Sequence, residues 1–342
     1  MASGNQEIAF ELLPLLRVYK DGRVERLIAS EIVPSSLQDP ETGVSSKDII
    51  ISSPDPSISA RLYLPNINKL ATTNSTQQHQ KLPLLIYFHG GAFCIGSVAS
   101  FLHQRYLNLL VSQANVVAVS VEYRLAPEHP LPTAYEDCWA ALQWVLSHSK
   151  KQEEDLQHAT FNHGFNNEPW LIDYVDFSRV FLGGDSAGAN IAHNVAMRVT
   201  DGLDGLRSIR GAFLVHPYFW GSDPIGSETG MDPGRKSIVE RIWLFVSPLS
   251  SDGIDDPMFN PFAPGAPSLS GLGCEKVLVC VAGKDTLIER GRFYCEKLKS
   301  SGWEGEVELF ENEEEGHAFH IYDPATKNAQ LLIKRLALFL NH

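Results

Sequence analysis

The strongest chemical signal in the sequence is Ser186, which stands at the centre of a G-x-S-x-G pattern over residues 184–188. An apolar run at 180–182 predicts a buried strand before it, and residues 191–198 predict a helix after it. A strand that turns directly into a helix needs small residues beside the turn, and the residue at its apex adopts a strained backbone that exposes its side chain. The partial positive charge of the helix N-terminus favours developing negative charge, as in nucleophilic attack on a carbonyl group.

A short pattern of this kind also fits a glycine-rich turn with an idle serine, so the assignment depends on partner residues elsewhere in the chain. Serine is a weak nucleophile at its free pKa and needs a base, which in turn needs an orienting acid. In a parallel sheet covered on both faces, such groups lie just beyond the carboxyl ends of the strands. The residues at the strand ends are therefore the candidates.

Asp285 is the candidate for the orienting acid, because it follows the predicted strand 276–282 closely. It comes after the serine in the chain, as expected for a carboxylate that holds the catalytic histidine at such a site. Asp252, Asp255 and Asp256 compete with it, but they cluster in an irregular, proline-rich segment with no strand before them. A surface or structural role is predicted for these three.

His317 is the candidate for the base, on the loop after the predicted strand 306–310. The chain order Ser186, Asp285, His317 matches the order known for a serine on this kind of strand-to-helix turn. In this role His317 accepts the serine proton and returns it to the leaving alkoxide, while Asp285 stabilises the cation. His320, three residues further on, is the alternative base.

His89, Gly90 and Gly91 follow another apolar strand, at 82–88. Two consecutive glycines let backbone N–H groups point at one oxygen atom, which is what an oxyanion hole requires. We therefore predict oxyanion donors at Gly90, Gly91 and Ala187, the last being the residue after the serine. The alternative is a tight turn without chemistry, and for the side chain of His89 a structural role is predicted.

Composition narrows the classes of partner. The 342 residues include 41 acidic and 28 basic side chains, which gives a net charge of −13. Such a charge repels a phosphate backbone, so nucleic acid is excluded as a partner and a small-molecule substrate is expected. The sequence suggests no cofactor, and His317 and His320 lack the further ligands that a metal site needs.

The five cysteines are scattered through the chain without a C-x-x-C pattern, and reduced thiols are expected. The first residues lack a basic region followed by a sustained apolar run, so no signal peptide is predicted. No run of 18 apolar residues is present either, so no membrane span is predicted. Together these features favour the cytoplasm, and the oligomeric state stays open.

Apolar strands alternate with helices along most of the chain, which predicts an α/β fold with a mostly parallel sheet covered by helices on both faces. The polar stretch 66–81 is interpreted as a surface loop. The polar stretch 149–169 is not a domain boundary, because strands of the same type lie on both sides of it, and a single domain over 1–342 is expected. The other predicted strands are 47–51, 58–64, 82–88, 116–121, 211–216, 276–282 and 306–310, and the other predicted helices are 133–148, 237–245, 289–299 and 328–340.

The chain resembles the hormone-sensitive-lipase-like α/β-hydrolases in five motifs, at residues 89–93, 123–128, 184–188, 283–285 and 316–317. More narrowly, it is similar to the plant carboxylesterases, including their 2-hydroxyisoflavanone dehydratase branch, over almost its whole length. The resemblance implies an α/β-hydrolase core. It also implies a small cap made from the N-terminal segment, 1–45, and an insertion at 217–262.

The resemblance implies a serine carboxylesterase that acts on small to medium neutral esters through an acyl-enzyme. A 2-hydroxyisoflavanone dehydratase, or a related eliminase or cyclase of plant specialised metabolism, is the alternative, since the same site serves either reaction. A hormone receptor is disfavoured, because gibberellin receptors with this fold have lost the histidine that is present here as His317. The candidates for the substrate pocket are Phe93, Phe219, Trp220 and Trp243, although each of these rings also fits the core.

Overall fold

The computed structural model describes residues 7–28, 30–51, 57–68, 81–158, 167–199 and 209–342, with the backbone alone at 150–158. The strands in this part of the chain belong to two sheets. They are β1 (Ile8–Leu12), β2 (Leu16–Tyr19), β3 (Val24–Arg26), β4 (Ser45–Ile50), β5 (Ser59–Leu64), β6 (Leu82–Phe88), β7 (Val117–Glu122), β8 (Val175–Asp185), β9 (Gly211–Val215), β10 (Lys276–Ala282) and β11 (Glu306–Asn312).

The larger sheet has eight strands in the order β11-β10-β9-β8-β6-β7-β5-β4. The six strands from β11 to β7 pair in parallel, and β5 and β4 extend the sheet by antiparallel pairing. The prediction of a mostly parallel sheet is confirmed. Because parallel strands share one carboxyl edge, the residues that follow β6, β8, β10 and β11 emerge on the same side of the sheet.

Helices cover both faces of this sheet. Those packed on one face include α1 (Phe101–Ala114) and α8 (Lys327–Asn341), and those packed on the other include α2 (Thr133–His158), α4 (Ala187–Arg198) and α6 (Ile288–Ser300). Successive residues of β6 alternate between the two cores, as a strand covered on both faces requires. None of the described helices is long and apolar enough to span a membrane. The helices are α1 (Phe101–Ala114), α2 (Thr133–His158), α3 (Pro169–Tyr174), α4 (Ala187–Arg198), α5 (Pro233–Val246), α6 (Ile288–Ser300), α7 (Phe319–Tyr322) and α8 (Lys327–Asn341).

Helix α1 is the main element that the sequence did not predict. Ser100 caps its start by accepting a hydrogen bond from the His103 N–H, and Asn115 ends it in the left-handed conformation. Its buried face carries the polar residues His103, Gln104 and Asn108 among aliphatic ones. These polar residues interrupt the apolar period from which a helix is recognised in sequence.

The other predicted elements agree with the structure within a few residues. The strands at 82–88 and 276–282 coincide with β6 and β10. Helix α2 continues ten residues beyond its predicted end at 148, into the polar stretch that follows. Most of the surface loop predicted at 66–81 lies outside the described residues.

The N-terminal strands β1, β2 and β3 form a separate antiparallel sheet that contacts helix α5. The ring of Phe10 stacks on that of Phe245 with 4.9 Å between centroids, and Arg241 donates a 3.0 Å hydrogen bond to the backbone oxygen of Glu11. The N-terminal segment and the insertion, the two segments interpreted as a cap, therefore contact each other.

Candidate active site

Ser186 lies at the sharp turn between β8 and α4, with a φ of +54°. The left-handed backbone at a serine confirms the strained apex that the G-x-S-x-G pattern predicts. A Cβ at Gly184 would lie 2.4 Å from the Gly188 backbone, and one at Gly188 would lie 1.9 Å from the Phe88 oxygen. The flanking glycines are therefore required by the close approach of β6 and the first turn of α4.

A continuous hydrogen-bonded path joins the three residues that the sequence singled out. His317 Nε2 is 2.9 Å from Ser186 Oγ, and His317 Nδ1 is 2.7 Å from Asp285 Oδ2. Asp285 follows β10, and its Oδ1 accepts a 3.0 Å hydrogen bond from the Leu287 N–H, which orients the carboxylate. His317 lies on the loop between β11 and α7. Three strand ends thus bring acid, imidazole and hydroxyl into line.

The electrostatics of this path favour a charged carboxylate and a basic imidazole. Burial lowers the pKa of His317, but the charge of Asp285 and the hydrogen bond to it outweigh burial, so the pKa lies above its ordinary value. Burial raises the pKa of Asp285, but His317 beside it reverses this, and the pKa is lowered overall. The His317 side chain is 38 % exposed, and it lines the cavity described below.

The competing residues lie elsewhere. His320 is fully buried on α7, its ring is 5.1 Å from that of Tyr106, and neither ring nitrogen has a hydrogen-bond partner among the described residues. Asp255 accepts hydrogen bonds from the Ser222 N–H and from the Asn260 amide. These contacts are structural, and His317 is the histidine that reaches the serine.

The turn after β6 corrects one predicted oxyanion donor. The Gly90 N–H donates a 3.1 Å hydrogen bond to Asp185 Oδ1, so it is already engaged. Asp185 also accepts from the Tyr87 hydroxyl, which fixes its carboxylate beneath the turn. The backbone N–H groups of Gly91 and Ala92 have no acceptor among the described residues. The hydrogen bond to Asp185 makes the Gly90 N–H unavailable, and no signal in the sequence pointed to the N–H of Ala92.

The geometry of this turn depends on Gly91. Its φ is +121°, and a Cβ there would lie 2.1 Å from the backbone oxygen of Ile95. Ala92 follows with a φ of +53°, which is also in the left-handed region. On the facing element, the N–H of Ala187 begins α4 and likewise has no acceptor in the described part of the chain. Donors from two elements therefore border the serine.

A cavity of about 500 Å³ opens beside Ser186 and His317. Most of its wall is apolar, and Gly91 and Ala92 contribute to it. Both segments interpreted as a cap supply side chains. The N-terminal segment contributes Leu15, Arg26, Ile28, Ser30 and Ile32, and the insertion contributes Tyr218, Val239 and Ile242.

The four aromatic residues predicted to line the pocket do not line this cavity, and that prediction is corrected. Phe93, Phe219, Trp220 and Trp243 are at most 1 % exposed. The ring of Trp243 stacks on Phe259 at 4.3 Å and meets Phe93 edge-on at 6.1 Å. These rings lie in the hydrophobic core and not at the surface of the cavity.

His216 is a residue near the site for which the sequence suggested no role. It follows β9 with a φ of +49°, and its Nδ1 accepts a 3.0 Å hydrogen bond from the Ala318 N–H. Ala318 itself has a φ of +56° and directly follows His317. Burial lowers the pKa of His216 to about 4, so the ring is neutral near pH 7 and Nδ1 can accept. The side chain thus holds the loop that carries His317.

One group of potential metal ligands occurs among the described residues, namely His216, Asp285 and His317, whose ligand atoms lie within 4.8 Å of one another. Most of these atoms are engaged with protein groups instead, and His216 Nε2 is the ring nitrogen of this group that has no hydrogen-bond partner among the described residues. His317 bonds Asp285 and Ser186, and His216 Nδ1 accepts from Ala318. A metal ion would have to displace these hydrogen bonds, so the donor set fits proton transfer better than metal binding.

Comparisons with known proteins agree with this fold. A family model described as alpha/beta hydrolase fold matches residues 85–321. A 2-hydroxyisoflavanone dehydratase of Glycyrrhiza echinata is 55 % identical over 337 residues, which cover 98 % of this chain and 97 % of the relative. Probable carboxylesterase 2 of Arabidopsis thaliana is 49 % identical over 341 residues, 100 % of this chain and 99 % of the relative. A solved esterase of Pyrobaculum calidifontis superposes with a TM-score of 0.63 at 26 % identity, over 86 % of this chain and 84 % of that one.

Proposed function

The chain belongs to the α/β-hydrolase family, and we propose that it is a serine carboxylesterase, which hydrolyses small to medium neutral esters through an acyl-enzyme. The observation that carries this proposal is the hydrogen-bonded path from Asp285 through His317 to Ser186. The names of its relatives agree with the esterase class, since a probable carboxylesterase is 49 % identical.

The proposed cycle assigns one role to each residue of the path. His317 Nε2 takes the proton of Ser186 Oγ as the oxygen attacks the ester carbonyl, and the same imidazole then protonates the leaving alkoxide. Water, activated by His317 in turn, hydrolyses the acyl-enzyme and releases the acid. Asp285 holds the imidazole in the required tautomer and stabilises the cation.

Gly91, Ala92 and Ala187 are the proposed oxyanion donors, because their N–H groups have no other acceptor among the described residues. Gly90 has a supporting role through its hydrogen bond to Asp185, which holds the turn in place. Each preorganised donor stabilises the tetrahedral intermediate by about 3–4 kcal/mol.

The charges around the cavity support a neutral substrate. Two carboxylates, Asp185 and Asp285, contribute to the wall and disfavour an anion. Arg26 is the one lysine or arginine among the described lining residues. Both of its terminal nitrogens donate to the Glu128 carboxylate. No cation in the described wall is thus left to pair with an anionic substrate.

Purified protein tests the proposal directly. We expect hydrolysis of p-nitrophenyl acetate or butyrate without added metal, and a serine-directed organophosphate should label Ser186, as read by mass spectrometry of the modified peptide. The Ser186→Ala variant should lose about 10⁴-fold or more in kcat. Full activity in that variant would remove Ser186 as the nucleophile. Tight binding of a small carboxylic acid without turnover of any ester would favour a receptor instead.

A dehydratase is the second candidate, favoured by the 55 % identity to a protein with that name. In this reaction His317 removes the proton from the carbon beside a carbonyl group, and the hydroxyl group on the neighbouring carbon leaves with a proton as water. The oxyanion donors stabilise the enolate between these steps. The path to Asp285 supplies the base, and no acyl-enzyme is required.

The two reactions respond differently to Ser186→Thr. The added methyl group hinders attack on an ester, but it leaves His317 and the oxyanion donors in place, so elimination from a 2-hydroxyisoflavanone should persist while esterase turnover falls. Mass-spectrometric detection of both products measures this ratio. A parallel loss of the two activities would contradict the separate use of serine and histidine.

We further propose that residues 1–342 form one domain with its cap at 1–45 and 217–262, because both segments contribute to the cavity wall. A reducing compartment, the cytoplasm in the first instance, fits the five buried cysteines without disulfides. Imaging of a fluorescent fusion in plant cells tests the location, and import into an organelle would overturn the cytoplasmic assignment.

A further inference from the structure

His103 is a cavity residue that the proposed cycle does not use. It lies in the first turn of α1 and contributes to the cavity wall, although only 8 % of the residue is exposed. The N-terminal segment covers this end of the cavity. The Phe101 N–H donates to the Glu31 oxygen at 2.7 Å, and the Val33 N–H donates to the Ala99 oxygen at 2.8 Å.

The hydrogen bonds of His103 assign its ring proton to Nε2. Ser100 Oγ accepts from the His103 backbone N–H at 3.4 Å and lies 2.8 Å from Nδ1. The hydroxyl proton of Ser100 has no other acceptor in the described part of the chain, so we assign it to the hydrogen bond with Nδ1. The ring proton is then on Nε2, and this N–H group has no protein partner among the described residues.

The ring is neutral at physiological pH. Burial lowers the pKa of His103 to about 4, against the opposing charge of Asp185, and His89 lowers it further. A neutral N–H donor does not select an anion by charge. It recognises an uncharged oxygen acceptor, such as a hydroxyl, ether or carbonyl oxygen.

Apolar side chains contribute most of the cavity wall. They include Ile28 and Ile32 of the N-terminal segment, Leu102 of α1 and Ile321 of α7. A fully apolar ligand would leave the His103 N–H without a hydrogen-bond partner. A buried donor without a partner costs free energy. An apolar ligand that carries an oxygen acceptor packs against the apolar side chains and also accepts from the His103 N–H.

We propose that His103, oriented by Ser100, is a hydrogen-bonding subsite for an uncharged oxygen on the apolar portion of the substrate. This inference rests on the proposed function, because it refines which esters are accepted. The substrate class is an ester of an oxygenated aromatic or alicyclic compound, in preference to the hydrocarbon analogue of the same size. The subsite discriminates among substrates and takes no part in proton transfer.

Matched esters and two variants test the subsite. The probes are naphthyl acetate, its isomeric hydroxy derivatives, which add one oxygen each, and its isomeric methoxy derivatives, which add one oxygen and one carbon each. The variant His103→Phe keeps a ring and removes the donor, whereas His103→Gln offers a side-chain N–H at a similar reach. The measurement is kcat/KM for each ester, with thermal unfolding as the control for folding.

In the wild type, at least one oxygenated isomer should exceed the unsubstituted ester in kcat/KM by roughly 3- to 10-fold, which is the range of one net hydrogen bond. His103→Phe should abolish this ratio while leaving the unsubstituted ester within about twofold, and His103→Gln should retain part of it. The subsite is refuted by a wild type without preference, by an unchanged ratio in His103→Phe, or by an equal loss on all esters.

Binding to the Ser186→Ala variant separates this inference from the proposed function. Calorimetry with the same esters as unreacted ligands should reproduce the affinity ratio, and adding His103→Phe should remove it. If the wild type hydrolyses no ester but the affinity ratio depends on His103, the subsite stands and the carboxylesterase proposal falls. If turnover is normal and the affinity ratio is absent, the reverse holds.

Discussion

His317 is hydrogen-bonded to Asp285, which accepts, and to Ser186, which donates, and the two partners affect the imidazole differently. Asp285 supplies a negative charge and a 2.7 Å hydrogen bond that stabilise the protonated ring, and Ser186 supplies the proton to be moved. A base with a raised pKa is a stronger proton acceptor, but it must be neutral before it can accept. The pH dependence of the proposed reaction therefore reports the environment of this single ring.

Replacing Asp285 by asparagine tests that environment. In the wild type, kcat/KM should rise with pH through a pKa above 6.5, because neutral His317 is the active form and its pKa is raised. Asp285→Asn removes the charge that raises it, so the acid limb should move to lower pH, and kcat should fall by about 10³- to 10⁴-fold. The exposed Asp252→Asn serves as the control. An unmoved acid limb in Asp285→Asn would contradict the assignment of this limb to His317.

The two neighbouring histidines should differ sharply when each is replaced by alanine. His317→Ala removes the base and should lower kcat by several orders of magnitude, while ligand binding persists because the cavity remains. His320→Ala should keep most of the rate and reduce the free energy of unfolding by about 1–3 kcal/mol, because it empties a buried site. Steady-state kinetics and urea unfolding measure the two effects. The reverse ranking in kcat would show that the wrong histidine was chosen.

At the scale of elements, the loop between β11 and α7 must turn sharply to present His317. Ala318 adopts a φ of +56°. This left-handed conformation is unfavourable for an alanine, so the surrounding contacts must stabilise it. The surroundings include His216, whose Nδ1 accepts the Ala318 N–H. A positioning residue directly after β9 thus acts on the base through one backbone hydrogen bond.

Two substitutions at His216 separate the hydrogen bond from packing. Asparagine places Oδ1 where Nδ1 was, so His216→Asn should stay within about threefold of wild-type kcat. His216→Leu fills a similar volume without an acceptor, and a displaced base should lower kcat by about 10- to 100-fold with little change in KM. The split between kcat and KM is the measurement. Equal losses in both variants would mean that the ring acts by packing alone.

At the scale of the whole molecule, a buried ion pair fastens the insertion to the core. Arg290 on α6 and Glu228 in the insertion are 3 % and 2 % exposed, and their hydrogen bonds are 2.7 and 2.6 Å long. Arg290 also donates to the backbone oxygen of Asp223. Because α6 begins shortly after Asp285, this pair links the proposed cap to the strand end that carries the acid.

Replacing one partner of this ion pair should lower the free energy of unfolding more than replacing both partners. Arg290→Met leaves the Glu228 carboxylate buried without its partner, so the free energy of unfolding should fall by about 3–5 kcal/mol. The double variant Glu228→Leu with Arg290→Met should recover much of this loss, because no unpaired charge remains. Urea unfolding of the wild type, both single variants and the double variant measures the coupling. A double variant as unstable as the sum of the singles would rule out a coupled pair.

The sequence by itself determined the central strands and the order of Ser186, Asp285 and His317. The strands at 82–88 and 276–282 are recognisable because a strand buried on both faces is apolar at nearly every position. The small residues around Ser186 are recognisable because the turn has no room for others. Such signals are local, so they can be read from neighbouring residues without knowing the rest of the fold.

Only the tertiary structure decided which hydrogen bonds and packing contacts form between residues that are distant in the chain. The Gly90 N–H is unavailable to an oxyanion because Asp185, 95 residues away, accepts from it. Trp243 lies in the core and not at the cavity because it stacks on Phe259, although its hydrophobicity suits either place equally. His103 and His216 gain their roles from hydrogen bonds within a folded cavity and loop. Hydrophobic patterning specifies which residues are buried, but the direction of each polar group is set by the contacts that folding brings together.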